Sequence, residues 1–326
     1  MESPEARLST LPVVGIYHRT PEPYLGLVRE LVPESHLRVC TAPAALGEIL
    51  PELDVLLAFK FGFRPFPRDE ILSAPRLRWV QLASAGIDHM VPYDPGRLIV
   101  TNASGIHGAI MSEYVIGMLI HVRWNVARLV EQQKARQWER YAVPALAGRT
   151  LGVVGTGQVG AAIASRARAF GMRTLGVRRS GAPLEGFDEI FGPGGLQRLF
   201  AESDAVVLAL PLTNETRHVI GARELQALRP SAYLINVSRG GIVDEDALIE
   251  VLRDGCIAGA ILDVFEEEPL PPGSPFWTLP NVVVTPHISS ELDGWQVELA
   301  RIFCRNLRHW MNHEPLENVV DPAAGY

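Results

Sequence analysis

Three polar residues follow successive apolar runs in the C-terminal half of the sequence: Arg239 in "NVSRGG", Glu268 in "DVFEEEP" and His287 in "TPHISS". Each has a plain reading when taken alone. An arginine after a strand is commonly solvated or capping, a glutamate in "EEEP" is a surface charge, and a histidine beside Pro286 is a turn residue. Together they supply a cationic anchor, a carboxylate and a group that carries a proton near neutral pH. That is the set needed to interconvert an alcohol and a carbonyl by hydride transfer.

Upstream, "GVVGTGQVG" has the glycine spacing that opens a dinucleotide site. Gly155 permits a tight turn, Gly157 lets the backbone approach a pyrophosphate, and Gly160 allows close helix packing. Thr156, Gln158 and Val159 complete the loop and start a helix, "AAIASRARAF", whose N-H groups and dipole face the phosphates. Farther on, "MRTLGVRRSG" places Arg178, Arg179 and Ser180 where such sites usually carry an acid for the adenosine ribose. Guanidinium forks bind phosphate, so the turn reads as a holder of a 2'-phosphate: NADP(H) is preferred and NAD(H) admitted. The competing reading has one or both arginines turned to solvent.

The elements that must position these residues follow from the apolar pattern. Runs of strand length alternate with helical segments throughout, as in parallel α/β architecture. A first series comprises "PVVGIYH", "LRVC", "DVLLAF", "RWVQL" and "LIVTN". A long helical bridge over "GIHGAIMSEYVIGMLIHVRWNVARLVEQQKARQW" follows. A second series comprises "TLGVVG", "RTLGV", "AVVLAL", "AYLINV", "AGAILDV" and "NVVVT". The tail reads as one helix capped by Ser290, with Asp293 three residues on and Leu299, Phe303 and Leu307 on one face, packing on the first domain. The expected division is a substrate domain of residues 1–101 plus 290–326 and a dinucleotide-binding domain of residues 102–289. In such sheets ligands bind at the carboxyl ends of the strands, which is where the polar residues above stand.

Composition narrows the partners. The chain has 326 residues, 47% hydrophobic, and a net charge of -7, so it offers no basic field for nucleic acid. Cys40, Cys256 and Cys304 are widely spaced without CxxC, which suits buried thiols in a reducing compartment and gives no disulfide or metal framework. The N-terminus has acids where an export leader has bases, and no apolar run approaches the length of a membrane span. A cytoplasmic protein without membrane contact is expected.

"GVVGTGQVG", "LPLTNETRHVI", "LINVSRGGIVDEDAL", "AGAILDVFEEEPLPPGSPFW" and "NVVVTPHISS", with "ASAGIDHM" earlier, resemble the D-isomer-specific 2-hydroxyacid dehydrogenase family. The resemblance implies two doubly wound parallel-sheet domains, a flavodoxin-like substrate domain and a Rossmann cofactor domain, with a cleft between them, usually in a homodimer. It implies that Arg239 binds the carboxylate and keto oxygen of a 2-ketoacid, that His287 is the acid/base, and that Glu268 orients and charges it. Asp263 matches a position near the nicotinamide carboxamide. Leu210, Pro211, Thr216, Val237 and Ser238 fall in the cofactor-binding motifs, along with Arg239 and His287. The backbone N-H groups of Ala85 and Gly86 match the loop that holds the substrate carboxylate, a nest that requires no side-chain ordering.

Family members of the glyoxylate and hydroxypyruvate reductase type often carry a basic turn like that at Arg178, so the resemblance implies a substrate of that type, reduced to the D-hydroxyacid. The chain's end at Tyr326 argues against the longer phosphoglycerate dehydrogenases. Lys60 either adds a second charge for the substrate anion or is solvated. Two alternatives stay open: a phosphite or formate dehydrogenase on the same scaffold, and a non-catalytic, nucleotide-sensing dimer like the corepressor relatives. The exposed aromatics of "VRWNVARLVEQQKARQWERYAVPAL" are the feature that favours a dimer.

Overall fold

A computed structural model describes residues 11–62, 64–322 and 324. The acidic first ten residues and Tyr326, used above, lie outside them. The chain forms two compact units, one from the described parts of Met1–Ile106 and Asp293–Tyr326, the other from His107–Leu292.

The first unit carries β1 (Val14–Tyr17), β2 (Leu37–Cys40), β3 (Val55–Ala58), β4 (Trp79–Leu82) and β5 (Ile99–Thr101). All pair in parallel in the order β2-β1-β3-β4-β5, so the order reverses between β1 and β3. β1 and β3 are buried at every position, as parallel strands covered on both faces must be. The C-terminal helix Trp295–Met311 buries Leu299, Phe303 and Leu307 completely against Val14, Ile16 and Trp79. Each such side chain contributes roughly 1.5–3 kcal/mol by leaving water.

The second unit carries β6 (Thr150–Val154), β7 (Arg173–Val177), β8 (Glu189–Phe191), β9 (Ala205–Leu208), β10 (Tyr233–Asn236), β11 (Gly259–Leu262) and β12 (Val282–Val284). The sheet is parallel throughout, in the order β12-β11-β10-β9-β6-β7-β8, with its reversal between β6 and β9. Both sheets are thus doubly wound, as expected, and every strand of the second delivers its following loop to the same edge.

Four expectations are corrected. The apolar pattern predicts six strands here, and the seventh, β8, is a three-residue edge strand with half-buried side chains and no strong apolar signal. The bridge is two helices, Gly108–Arg123 and Val126–Ala135, broken at left-handed Asn125, whose side chain accepts the Arg128 N-H. The last helix starts at Trp295 after left-handed Gly294, not at Ser290. Residues 288–292 are instead held in tight turns, with Glu291 N-H on Ile288 and Leu292 N-H on Ser290. Cys40 and Cys304 are buried free thiols, but Cys256 is exposed in the turn after the helix Glu245–Arg253, off any periodic apolar face. Among the described residues no helix is long and apolar enough to cross a membrane.

Candidate functional site

In the second unit β6 leads into the glycine loop. Gly155 has φ 94°, a left-handed turn that L side chains disfavour, and its amide donates to Val177 O at 3.0 Å. A Cβ on Gly160 would collide with the Gly155 carbonyl, so the helix Gln158–Ala169 seats against the strand end only because that position is glycine. Gly157 is exposed, and a Cβ there would meet nothing within 4 Å. Buried Thr156, exposed Gln158 and half-buried Val159 flank it. The loop therefore has a tight floor and an open face at a helix N-terminus, which fits a dinucleotide pyrophosphate.

After β7 the chain turns at Arg178, whose backbone N-H bonds Phe191 O in the edge strand. Its half-buried side chain has no hydrogen-bond or ion-pair partner among the described residues. Arg179 is exposed and lies 3.9 Å from Glu215, in the loop after β9. Ser180 Oγ accepts the Ala182 N-H at 3.3 Å. Leu210 and Pro211 are half-buried in the loop after β9, and Thr216 closes that loop, donating to Pro211 O at 2.7 Å and accepting the Thr213 N-H at 2.8 Å.

The loop after β10 carries Val237, Ser238 and Arg239. Asn236, 2% exposed, staples it: its Oδ1 accepts the Ser238 N-H and hydroxyl, and its Nδ2 donates to Arg239 O. Arg239 Nη1 donates to Ser238 O at 2.8 Å. A Cβ on Gly240 would run into the backbone of Phe265 and Glu266, so this glycine lets the Arg239 turn lie directly on the Glu268 turn.

Glu268 Oε2 lies 2.8 Å from His287 Nδ1, and Glu268 Oε1 accepts the Phe265 N-H at 3.1 Å. Burial alone would raise the Glu268 carboxyl. The hydrogen bond and charge of His287, the Phe265 N-H and the charge of Arg239 outweigh it and hold the group below the usual carboxylate range. Since a carboxylate only accepts, Nδ1 of His287 carries the proton of this bond, leaving Nε2 as the nitrogen available for other chemistry.

His287 itself has φ 56°, left-handed. Its loop is held by Asp263, which has no solvent exposure. Asp263 Oδ1 accepts the Thr285 hydroxyl at 2.5 Å and the Ile288 N-H at 2.9 Å, and Oδ2 accepts the Ser289 N-H at 2.9 Å. Tyr114 donates in turn to Thr285 Oγ1 at 2.7 Å, and burial pushes its phenol up to about 12. The family resemblance implies a place for Asp263 beside a cofactor. This brace and the Asn236 staple are marked in the sequence only by a polar residue at the inner end of an apolar run.

In the first unit Lys60 is exposed after β3. The turn after β4 has its carbonyls engaged: Ser84 O by the Ala103 N-H, Ala85 O by Asn102 Nδ2, and Gly86 O by Ser84 Oγ. Among the described residues nothing accepts the N-H of Ala85 or Gly86.

Comparison with known proteins gives a consistent family. The model described as "D-isomer specific 2-hydroxyacid dehydrogenase, NAD binding domain" matches residues 116–289. A glyoxylate reductase of Thermococcus gammatolerans is 37% identical over 263 residues, covering 76% of this chain and 78% of that protein. A D-isomer specific 2-hydroxyacid dehydrogenase of Xanthobacter autotrophicus, solved with NADPH and MES, superposes with a TM-score of 0.85 at 33% identity, covering 97% of this chain and all of that one. The NADPH-dependent glyoxylate/hydroxypyruvate reductase of Sinorhizobium meliloti, solved with NADP and sulfate, gives 0.82 at 30% identity over 96% of this chain and 99% of that one.

Proposed function

Because this chain belongs to the D-isomer specific 2-hydroxyacid dehydrogenase family, whose members are NAD(P)-dependent oxidoreductases, we propose that it reduces a small 2-ketoacid of the glyoxylate or hydroxypyruvate type to the D-2-hydroxyacid, preferring NADPH. The observation that carries this reading is the Glu268–His287 hydrogen bond at 2.8 Å, with the charge of Arg239 acting on the same carboxylate.

When bound, the nicotinamide cofactor supplies the hydride. Gly155 to Gly160 hold its pyrophosphate, and Leu210, Pro211, Thr216, Val237, Ser238 and Asp263 line its path. Arg178, with Arg179 and Ser180, takes the 2'-phosphate. The half-buried Arg178 side chain supports this, whereas Arg179 already has Glu215 beside it. Arg239 binds the substrate carboxylate and polarises the keto oxygen. His287, carrying a proton on each ring nitrogen, donates the one on Nε2 to that oxygen as the carbonyl is reduced, while Glu268 holds the Nδ1–H and so orients the ring. The N-H groups of Ala85 and Gly86, which have no acceptor among the described residues, support their assignment as an anion nest, and exposed Lys60 is a second candidate for a substrate anion.

We also assign the chain to a homodimer. Trp138 is 95% exposed, and Trp124, Leu129, Val130 and Val143 are exposed near it in sequence, an apolar surface an interface would cover.

The test is a screen of 2-ketoacids, with phosphite and formate as alternative substrates, against each nicotinamide cofactor, followed by chiral analysis of the product. D-hydroxyacid formation with NADPH favoured is expected. Phosphite or formate oxidation, an L product, or cofactor binding without turnover would overturn the reading.

A further inference from the structure

The Glu268 turn is held by more than its own residues. Glu245 opens the helix Glu245–Arg253, immediately after its N-cap Asp244. Its Oε1 accepts the backbone N-H of Glu266 at 2.8 Å, across 21 residues of sequence. The preceding amide, Phe265 N-H, is taken by Glu268 Oε1 at 3.1 Å. Consecutive amides of one turn are thus each held by a carboxylate, one belonging to the turn and one reaching in from the helix.

Two further contacts close the clamp. The Glu266 side chain meets the imidazole Nε2 of left-handed His218, and the His218 amide donates to Gly241 O at 2.9 Å. Gly240, next to Gly241, is the glycine pressed on the 265–266 backbone. The Arg239 turn, the Glu268 turn and the start of the helix therefore share one small hydrogen-bonded unit, and Glu245 is its direct hold on the backbone.

We propose that Glu245 is a positioning residue for the Glu268–His287 couple: by fixing the Glu266 amide it sets the turn that aims Glu268 at His287. This rests on the reading that His287 carries the transferable proton. The charged groups facing Glu245 are Glu266, Asp246 and His218, and those facing Glu268 are His287 and Arg239. Glu266 and Asp246 repel Glu245, and the His218 imidazole already meets the Glu266 side chain, so the Glu266 amide is what holds Glu245 in this position.

Glu245 borders an open groove of about 370 Å³ with Glu266, Glu267 and Leu270, so shortening it seals no cavity. The test compares E245A and E245Q, the second of which keeps an acceptor oxygen on the same stem. Reduction kinetics are read together with the titration of the His287 ring, followed by NMR in cofactor-free protein and assigned by its loss in H287A. E245A is expected to lower kcat about tenfold with KM for the ketoacid within about twofold, the loss of one hydrogen bond to a charged group. It is also expected to move the His287 titration in the same direction as E268Q, the comparison variant, towards lower pH. E245Q is expected to recover most of both, and adding E245A to E268Q should move the titration no further. E245S cannot reach the Glu266 amide and carries the same prediction as E245A if the alanine variant does not fold. A His287 titration unmoved by E245A or E245S, or an E245Q as impaired as E245A, overturns the proposal. If E268Q itself leaves the titration unmoved, the reading of Glu268 as partner falls. If E268Q moves it and E245A does not, only the role of Glu245 falls.

Discussion

The buried carboxylate of Asp263 accepts the backbone N-H of Ser289 at 2.9 Å, and with its bonds to Ile288 and Thr285 it fixes the loop on which His287 sits. Three donors converge on one carboxylate with no solvent to replace it. Asp263→Asn is expected to turn an amide N-H₂ towards at least one of them. The cost should be about 3 kcal/mol or more in chemical denaturation, since each stranded buried group costs roughly 1–3 kcal/mol. Reductase activity should fall with it, because left-handed His287 loses its support.

Glu268 is held ionised below the usual carboxylate range, so its pairing with His287 persists through neutral pH. The sign follows from linkage: stability from this group is fully present above its unfolded value, roughly pH 4.3, and is lost as pH falls through the lower folded value. In catalysis, Glu268→Gln removes the negative charge from beside the His287 ring. Reduction should slow at least about tenfold, and its descending limb should move to lower pH, while His287→Ala should lower turnover by about 10² to 10⁴. An unshifted limb in rate measurements across pH, at saturating cofactor, would count against Glu268 as the partner.

Cofactor choice should follow Arg178 more than Arg179. Arg178 has no carboxylate partner among the described residues, whereas Arg179 lies 3.9 Å from Glu215. Replacing Arg178 by Gln should weaken NADPH about tenfold or more and leave NADH nearly unchanged, because a charged hydrogen bond to phosphate contributes roughly 1.5–3 kcal/mol. Fluorescence titration of both cofactors distinguishes this from a general loss of the loop, in which both would weaken equally.

The exposed Trp138 offers a test of assembly. Trp138→Glu should shift a dimer towards monomer in sedimentation, since a charge in the core of an interface is left desolvated and unpaired. A wild-type protein that sediments as a monomer at working concentration would reject the dimer outright.

Much of the architecture is legible in the sequence, because parallel strands buried on both faces read as short apolar runs and the intervening helices read at their own period. The elements that depart from the sequence pattern share a cause. β8 sits at a sheet edge with half-buried side chains, so burial left little mark on its composition. The break at Asn125 and the late start at Trp295 each depend on one left-handed residue, and local pattern does not report a single φ angle.

The sequence by itself determined the inventory: the glycines that permit the loop after β6, two arginines where an acid is usual, and an arginine, a glutamate and a histidine each placed just beyond a strand. Only tertiary structure decided which of these groups meet. Glu268 and His287 are 19 residues apart in the chain and one hydrogen bond apart in space because β11 and β12 pair in parallel and bring their loops to the same edge. The braces behind them, Asp263 and Asn236, carry no mark of that bracing role in the sequence. Their roles arise from burial, which removes water as a partner and obliges each buried amide to find its acceptor within the fold.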